Sequence, residues 1–160
     1  MSHPSLGLPP RDERAGFPDA AARLLRDRRR IGQRALEIAV DRDPGFRERH
    51  DELALRKLLR DTEIFIDRLA LSVASRDPSV MAQFADQVVP LYRRRKVSMD
   101  DLVKLDEALR SAAGAHLSGE EAAALDAAID AANKVFKWHR RIAGDARKRN
   151  RLLQAIYKGA

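Results

Sequence analysis

The sequence predicts an all-α fold, either globin-like or an antiparallel bundle of about five helices, with a long C-terminal helix. Apolar residues recur three or four positions apart along five segments, and segments containing Pro or Gly separate them. No segment alternates apolar and polar residues between hairpin-turn signals, so no strand is predicted. The longest helical pattern, Ser118–Lys158, would extend about 60 Å if unbroken. We therefore expect the other helices to pack along its first half.

Pro and Gly residues divide the chain into an arm and a domain. The first 18 residues contain four of the seven Pro residues and no apolar periodicity, which predicts a flexible N-terminal arm over residues 1–18. Residues 19–160 are predicted to form a single helical domain, because a chain of 160 residues leaves room for one proper core. We expect the core to span about residues 51–143 and the basic helix end, residues 144–160, to project from it.

Two helices are predicted in the first half of the chain. The first begins near Asp19, a favourable N-cap residue, and ends before Pro44, which interrupts helical geometry. The second is strongest over residues 51–75, and its apolar stripe is wide enough for neighbours on more than one side. We therefore expect it in the middle of the core, with an inward stripe formed by Leu55, Leu58, Thr62, Phe65, Ile66, Leu69 and Val73.

Three further helices follow. The third contains Pro90, which predicts a bend or a break, because Pro removes one internal hydrogen bond. The fourth begins after Ser98, which we interpret as its N-cap residue. The fifth begins with Ser118 and Glu121 at the spacing of a capping box, in which each side chain bonds the other residue's backbone N–H.

The composition limits the classes of function. The chain has no Cys, which excludes disulfides, thiolate metal sites and a thiol nucleophile. No apolar run approaches the roughly 20 residues that a membrane span needs, and the N-terminus lacks the residue order of a signal peptide. We therefore expect a soluble, cytoplasmic protein.

The His residues do not predict a metal or haem site. His3, His50, His116 and His139 include no pair at the three- or four-residue spacing by which a helix presents two metal ligands. His116 or His139 would be the axial ligand if haem were bound. However, His116 lies in a predicted loop and His139 precedes two Arg residues, so we interpret both as solvated or interfacial. We expect no cofactor.

Acidic pairs and Ser residues do not indicate catalysis either. Asp100-Asp101 and Asp106-Glu107 are interpreted as helix caps and solvated charge, since nothing predicts that they meet in a cleft. The sequence also lacks a nucleophile elbow, a phosphate-binding loop and a dinucleotide fingerprint. We therefore expect that the protein is not an enzyme.

Four aromatic residues at helical spacing have two interpretations. They would line a pocket for an apolar ligand if the helices left space between them, and otherwise they fill the core, which is the commoner outcome. A carrier or sensor of an apolar small ligand is therefore a further alternative function. The residues of this possible pocket are Phe65, Phe84, Tyr92 and Phe136.

Basic residues are concentrated near the C-terminus. Residues 134–158 contain nine Lys or Arg against one Asp, a net charge of +8, so the rest of the chain carries −1 of the total +7. Such residues complement a helix dipole, or they neutralise the phosphates of a nucleic acid. Nucleic-acid binding is the second choice of function, through an anion surface of Lys137, Arg140, Arg141, Arg147, Lys148, Arg149 and Arg151.

Large apolar residues reappear beyond these charges. They lie too far along the helix to reach the same core, so we expect them to need a partner helix, most simply that of a second copy. Trp138 is offset from the inward stripe and lies among basic residues, which is typical of a surface that binds another chain. The predicted partner or dimer surface comprises Trp138, Leu152, Leu153, Ile156 and Tyr157.

The middle of the chain resembles a known family. Leu91–Leu102 has the order of a basic turn, Ser98, a hydrophobic residue and two acids, and Leu105–Arg110 continues it with a leucine repeat. This order is similar to that in the N-terminal domains of RsbR and RsbRD type stressosome co-antagonists, over roughly Asp51–Gln154. The Arg-rich segment before Asp51 is not part of the resemblance.

The resemblance implies a non-haem, globin-like sensory domain that dimerises and passes a signal through its last helix. Because the anti-sigma-antagonist domain of that family does not follow in this sequence, we expect function through surfaces instead of direct phosphorelay output. The leading interpretation is thus a non-catalytic sensor or protein-interaction module in bacterial stress signalling, which forms a homodimer or docks on another signalling protein.

Overall fold

A computed structural model describes the backbone of residues 15–149 and the side chains of residues 15–144. This part of the chain contains helices and no strand, which confirms the all-α prediction and the long C-terminal helix. The helices are α1 (Pro18–Arg26), α2 (Arg28–Arg42), α3 (Gly45–Arg49), α4 (Glu52–Ser75), α5 (Ser79–Arg94), α6 (Met99–Gly114) and α7 (Gly119–Arg149).

The predicted first helix is two helices in the structure. Asp27 separates α1 from α2, yet its N–H still donates to the Arg23 carbonyl at 3.2 Å and its own carbonyl accepts from Ile31 at 2.9 Å. Hydrogen bonding therefore continues across the break, and we treat α1 and α2 as one rod. With the single-turn α3 set aside, the domain has five rods, in the predicted order.

The first rods are antiparallel neighbours. The Phe17 N–H donates to the Val73 carbonyl at 3.0 Å near the end of α4. Arg28 lies further along the chain than Phe17, and it is 3.3 Å from Asp67, which precedes Val73 in α4. The α1–α2 rod therefore runs opposite to α4. After the turn at residues 76–78, α5 packs back against α4.

α7 lies between α5 and α6. Arg110 near the end of α6 pairs with Asp126 near the start of α7 at 2.9 Å, and Arg140 further along α7 pairs with Asp100 at the start of α6. These two helices are therefore antiparallel. Because α2 packs on α6 and α5 packs on both α4 and α7, the rods close into a ring, with α4 also touching α7.

α4 occupies the middle of the core, as its wide apolar stripe predicts. Six of its seven predicted inward residues are buried, and Leu55 is partly buried. The core also includes Leu24, Ile31 and Phe46, each at most 1% exposed. This corrects the predicted core range of 51–143: the α1–α2 rod packs against both α4 and α6, which buries its own apolar stripe.

The N-terminal boundary differs slightly from the prediction. Phe17, not Asp19, holds the N-cap position, and Pro18 begins α1, where its missing N–H leaves no helical hydrogen bond unmade. Phe17 also packs against the core. Residues 15–18 of the predicted arm are thus docked on the domain, and residues 1–14 lie outside the described residues.

The later helix ends follow the predicted chemistry. Ser98 Oγ accepts from the Asp101 N–H at 3.1 Å at the start of α6. The Glu121 carboxylate accepts from the Ser118 N–H at 3.4 Å, which is one of the two bonds of the predicted capping box. α5 continues past Pro90, so this residue causes no break.

Candidate functional site

One side of α7 faces away from the domain. The inward stripe of this helix, from Leu125 to Phe136, is buried against its neighbours. Helix positions three or four apart share a side, so the exposed residues opposite that stripe form a continuous surface. We call this surface the α7 face; it comprises Asp130, Lys134, Lys137, Trp138 and Arg141.

Positive charge dominates the α7 face. Lys134, Lys137 and Arg141 form no ion pair with any residue in the described part of the chain. The acid on this face, Asp130, lies 2.5 Å from Arg110 of α6, so its charge is compensated. Exposed cations without local counter-charges attract anionic groups of other molecules.

Trp138 gives the α7 face an apolar centre. It is 49% exposed, and its ring meets the His139 ring edge-on with 4.9 Å between centroids. His139 is in turn fixed to α5, because its Nε2 lies 2.9 Å from Asp86 Oδ1 and its carbonyl accepts from Arg93 at 3.4 Å. The indole is therefore held on one side and open on the other, which suits contact with another molecule.

The structure brings parts of two predicted surfaces together. Lys137 and Arg141 of the anion surface share one side of α7 with Trp138 of the partner surface, whereas Arg140 points towards α6 and pairs with Asp100. A surface concavity extends along the α7 face and includes all of its residues. Its other lining residues are Asp86, Asn133, Val135 and Arg140.

The remaining predicted contacts of the C-terminal end lie outside the described side chains. This applies to Arg147, Lys148, Arg149 and Arg151 of the anion surface, and to Leu152, Leu153, Ile156 and Tyr157 of the partner surface. These assignments, and the projection of residues 144–160, stay predictions.

The four aromatic residues of the possible pocket lie in the core. Phe65 meets Phe84 edge-on at 5.1 Å between centroids and approaches Tyr92 at 6.3 Å, and Phe136 is fully buried. Neither the concavity along the α7 face nor a smaller one between Pro78 and the start of α7 is lined by any of the four. The rings fill space between α4, α5 and α7.

A partly buried ion-pair cluster that sequence analysis did not find joins α3 to α6. The two carboxylate oxygens of Asp101 lie 2.7 Å from Arg49 Nη2 and 2.7 Å from His50 Nε2. Asp43, after α2, accepts from Arg49 and from Lys104, each at 2.6 Å. The cluster thus links the end of α2 and the single-turn α3 to the first turns of α6.

Two acids that were interpreted as solvated are buried instead. Asp101 is 2% exposed and Asp106 is 0% exposed, because α6 packs against α2 on one side and α7 on another. Burial opposes ionisation of Asp101, but hydrogen bonds from His50 and Arg49 outweigh it and lower its pKa. A signal was present in the sequence: both acids lie three or four positions from apolar residues of α6.

Asp106 differs from Asp101 because neither of its oxygens has a hydrogen-bond partner. Burial, and then the negative charge of Glu107, raises the pKa of Asp106 well above its usual range. On α7, Asn133 donates to Glu107 at 2.9 Å, and its own side-chain oxygen is buried without a partner. Burial therefore favours the neutral form of the Asp106 carboxyl.

Comparison with known proteins found no matching family model, no matching curated protein and no matching solved structure. Among the described side chains, those of residues 15–144, no group of three or more His, Asp or Glu is arranged to hold a metal ion. None of the helices in residues 15–149 is both long enough and apolar enough to span a membrane.

Proposed function

We propose that the protein is a non-catalytic, cytoplasmic helical module that binds a partner chain through the α7 face, most simply a second copy. One observation carries this proposal: Trp138 is half exposed, fixed against His139, and surrounded by Lys134, Lys137 and Arg141, which form no ion pair within the described chain. Rigid aromatic residues next to cations are typical contributors to binding energy at interfaces.

The sequence resemblance supports a signalling role. The similar family places its sensory domain before an output that its last helix reaches, and α7 is the long helix in the corresponding position. We therefore propose a sensor or interaction module of bacterial stress signalling, with the α7 face as the surface that contacts the next protein.

The buried polar residues support a role without catalysis. Asp101 and His50 form an acid–His pair in the interior, and both are at most 5% exposed. Asp101 also accepts from Arg49, so both of its oxygens are already occupied by side chains of the same chain. This arrangement leaves no access for a substrate and instead suits a structural clamp.

The emission of Trp138 tests the proposal, because it is the only Trp in the chain and therefore reports on the α7 face alone. We expect the emission maximum to move to shorter wavelength as the protein is concentrated through its dimer Kd. Trp138→Ala should weaken association in sedimentation equilibrium by about ten-fold or more. The control is Leu25→Ala, an exposed apolar residue on α1. Association that leaves the emission unchanged would contradict the proposal.

Nucleic-acid binding is the second candidate, and the three cations of the α7 face favour it. Their phosphate contacts would give a slope of about −3 in a plot of log binding constant against log salt, close to one per neutralised phosphate. Fluorescence polarisation with unspecific DNA and RNA measures this slope. Changing Lys134, Lys137 and Arg141 to Gln should then lower the affinity for every sequence alike, and no binding at low salt would exclude this function.

A further inference from the structure

The outer side of α4 carries a straight stripe of exposed residues. Its positions follow each other at intervals of four, three, four, three and four residues, and all of them are exposed. Three are large and apolar: Leu53 is 61% exposed, Ile64 47% and Leu71 49%. We call this set the α4 stripe; its residues are Leu53, Lys57, Arg60, Ile64, Asp67 and Leu71.

The alignment of the α4 stripe sets it apart from ordinary surface residues. Single exposed apolar residues need no explanation, but here three of them share one line on a helix, about 27 Å long at about 1.5 Å per residue. Leu91 of α5, 41% exposed, lies one turn before Arg95, which pairs with Asp61 of α4. Leu91 is thus a further exposed apolar residue on the helix that packs beside α4. The inner sides of α4 are already covered by α1, α2, α5 and α7.

The charges of the α4 stripe are available to another molecule. Lys57 and Arg60 form no ion pair within the described chain. Asp67 lies 3.3 Å from Arg28, and its side chain is still 45% exposed. The stripe therefore presents two cations and one half-exposed acid between its apolar ends.

The α4 stripe is complementary to the same stripe of a second copy that runs in the opposite direction. When two copies of α4 are laid antiparallel with Thr62 opposite Thr62, Leu53 lies opposite Leu71 and Lys57 opposite Asp67. Arg60 then lies opposite Ile64, beside the centre. The alternating three- and four-residue spacing is that of a coiled-coil seam, so these opposed residues share layers in an antiparallel pair.

Other alignments of the same stripe are worse. A parallel pair in register opposes Lys57 to Lys57 and Asp67 to Asp67. Moving the antiparallel pair by one heptad opposes either Ile64 to Asp67 or Lys57 to Arg60. Only the arrangement centred on residue 62 matches apolar ends with each other and cation with acid.

We propose that the α4 stripe binds the α4 stripe of a second copy of this chain in an antiparallel arrangement. The two-fold axis crosses the outer side of α4 at the level of Thr62 along the helix. Such an interface is isologous, so each complementary pair occurs twice, once on either side of the axis. It is independent of the α7 face, which α4 does not contribute to. A chain with both surfaces occupied would form assemblies larger than a dimer.

A charge-exchange experiment tests this arrangement directly. Lys57 and Asp67 are ten residues apart, about 15 Å along one helix, so they do not reach each other within a chain. In sedimentation equilibrium of the full chain, Lys57→Asp alone and Asp67→Lys alone should each raise the dimer Kd about ten-fold, because each opposes like charges at two places. The double variant should restore the Kd to within about two-fold of the wild type. Circular dichroism and the Tm check that the fold is kept.

A second pair of variants separates this interface from the α7 face. Ile64→Glu and Trp138→Glu change residues of almost equal exposure, 47% and 49%, on different helices. The experiment uses the wild-type chain, each single variant and the double variant. Ile64→Glu should remove one association step and leave the concentration dependence of Trp138 emission unchanged, whereas Trp138→Glu should leave the charge-exchange pattern of α4 unchanged.

Three outcomes would overturn the proposal. The first is a wild-type chain that stays monomeric at high micromolar concentration. This outcome also covers a wild-type chain that associates only with an added acidic partner protein and not with itself. The second is an unchanged Kd for Ile64→Glu. The third is a double Lys57→Asp, Asp67→Lys variant that associates no better than either single variant. Loss of association through Trp138 alone would support the proposed function and contradict the α4 interface.

Discussion

His50 Nε2 lies 2.7 Å from Asp101 Oδ2, and both side chains are buried. The contact joins the residue after the single-turn helix α3 to the first turn of α6. Phe46 packs under the His50 ring at 4.8 Å between centroids, so the ring is held from two sides. The contact between the end of α3 and α6 is therefore held by a carboxylate that sequence analysis placed in solvent.

Removing this carboxylate should destabilise the domain. Asp101→Asn leaves His50 without its carboxylate partner and leaves Arg49 paired with Asp43 alone, and breaking a buried pair in this way costs about 3 kcal/mol. The measurement is the free energy of unfolding in urea at neutral pH. Asp100→Asn is the matched control, since Asp100 is more than half exposed and its pair with Arg140 contributes at most about 1 kcal/mol. Equal losses of unfolding free energy for the two variants would show that burial of Asp101 adds nothing to the stability that its contacts provide.

Asp101 and Asp106 should change the free energy of unfolding with pH in opposite directions. The pKa of Asp101 is lowered in the folded state, so its contribution is present above the unfolded value near 3.8 and is lost as pH falls below it. The pKa of Asp106 is raised, so the unfolded chain ionises first, and stability falls as pH rises above about 3.8 until the folded pKa is reached.

Asp106→Asn should therefore make the free energy of unfolding depend less on pH between pH 4 and pH 8. A single such group changes the free energy of unfolding by up to about 1.4 kcal/mol per pH unit, and an amide at this position does not ionise. We expect the variant to be more stable than the wild type at pH 7 and nearly equal to it at pH 4. Urea unfolding from pH 4 to pH 8 measures the difference. Parallel profiles for the two proteins would mean that Asp106 is ionised in the fold.

The close contact between α2 and α4 predicts that substitution of Gly by Ala has opposite effects on the Tm at positions 32 and 144. A Cβ on Gly32 would lie 2.3 Å from Thr62 Oγ1, whereas a Cβ on Gly144 of α7 would meet nothing within 4 Å. Helix propensity alone favours Ala over Gly by about 1 kcal/mol in a helix interior. We expect Gly144→Ala to raise the Tm and Gly32→Ala to lower it. Adding Thr62→Ala to the second variant should recover part of the loss, and no recovery would place the strain elsewhere.

The charge of the α7 face should be visible in quenching of Trp138. Lys134, Lys137 and Arg141 surround the half-exposed indole, so iodide is attracted to it. We expect iodide to quench more efficiently than neutral acrylamide at low ionic strength, with the difference lost in high salt. Lys134→Gln with Lys137→Gln should reduce iodide quenching only. Equal effects on both quenchers would show that access, and not charge, controls the result.

Helix class, most helix limits and the inward side of α4 were predictable from the sequence. These features depend on local causes: the spacing of Leu58, Phe65 and Leu69, the cap at Ser98, and the Pro and Gly residues between helices. Such interactions act over a few residues, so a single chain segment contains the information. The same reasoning placed Trp138 on the outer side of the last helix, where the structure also has it.

Only the tertiary structure showed how charge and apolar surface are distributed between helices. Asp106 and Asp67 both follow apolar residues by one and by three positions, yet Asp106 is buried and Asp67 is half exposed on the outer side of α4. Burial of an acid depends on which helices pack around it, and that packing depends on contacts between residues far apart in the chain. The sequence by itself determined the helices and their apolar sides, whereas the tertiary structure decided which polar residues lost water, because dehydration is a property of the assembled neighbours and not of any one helix.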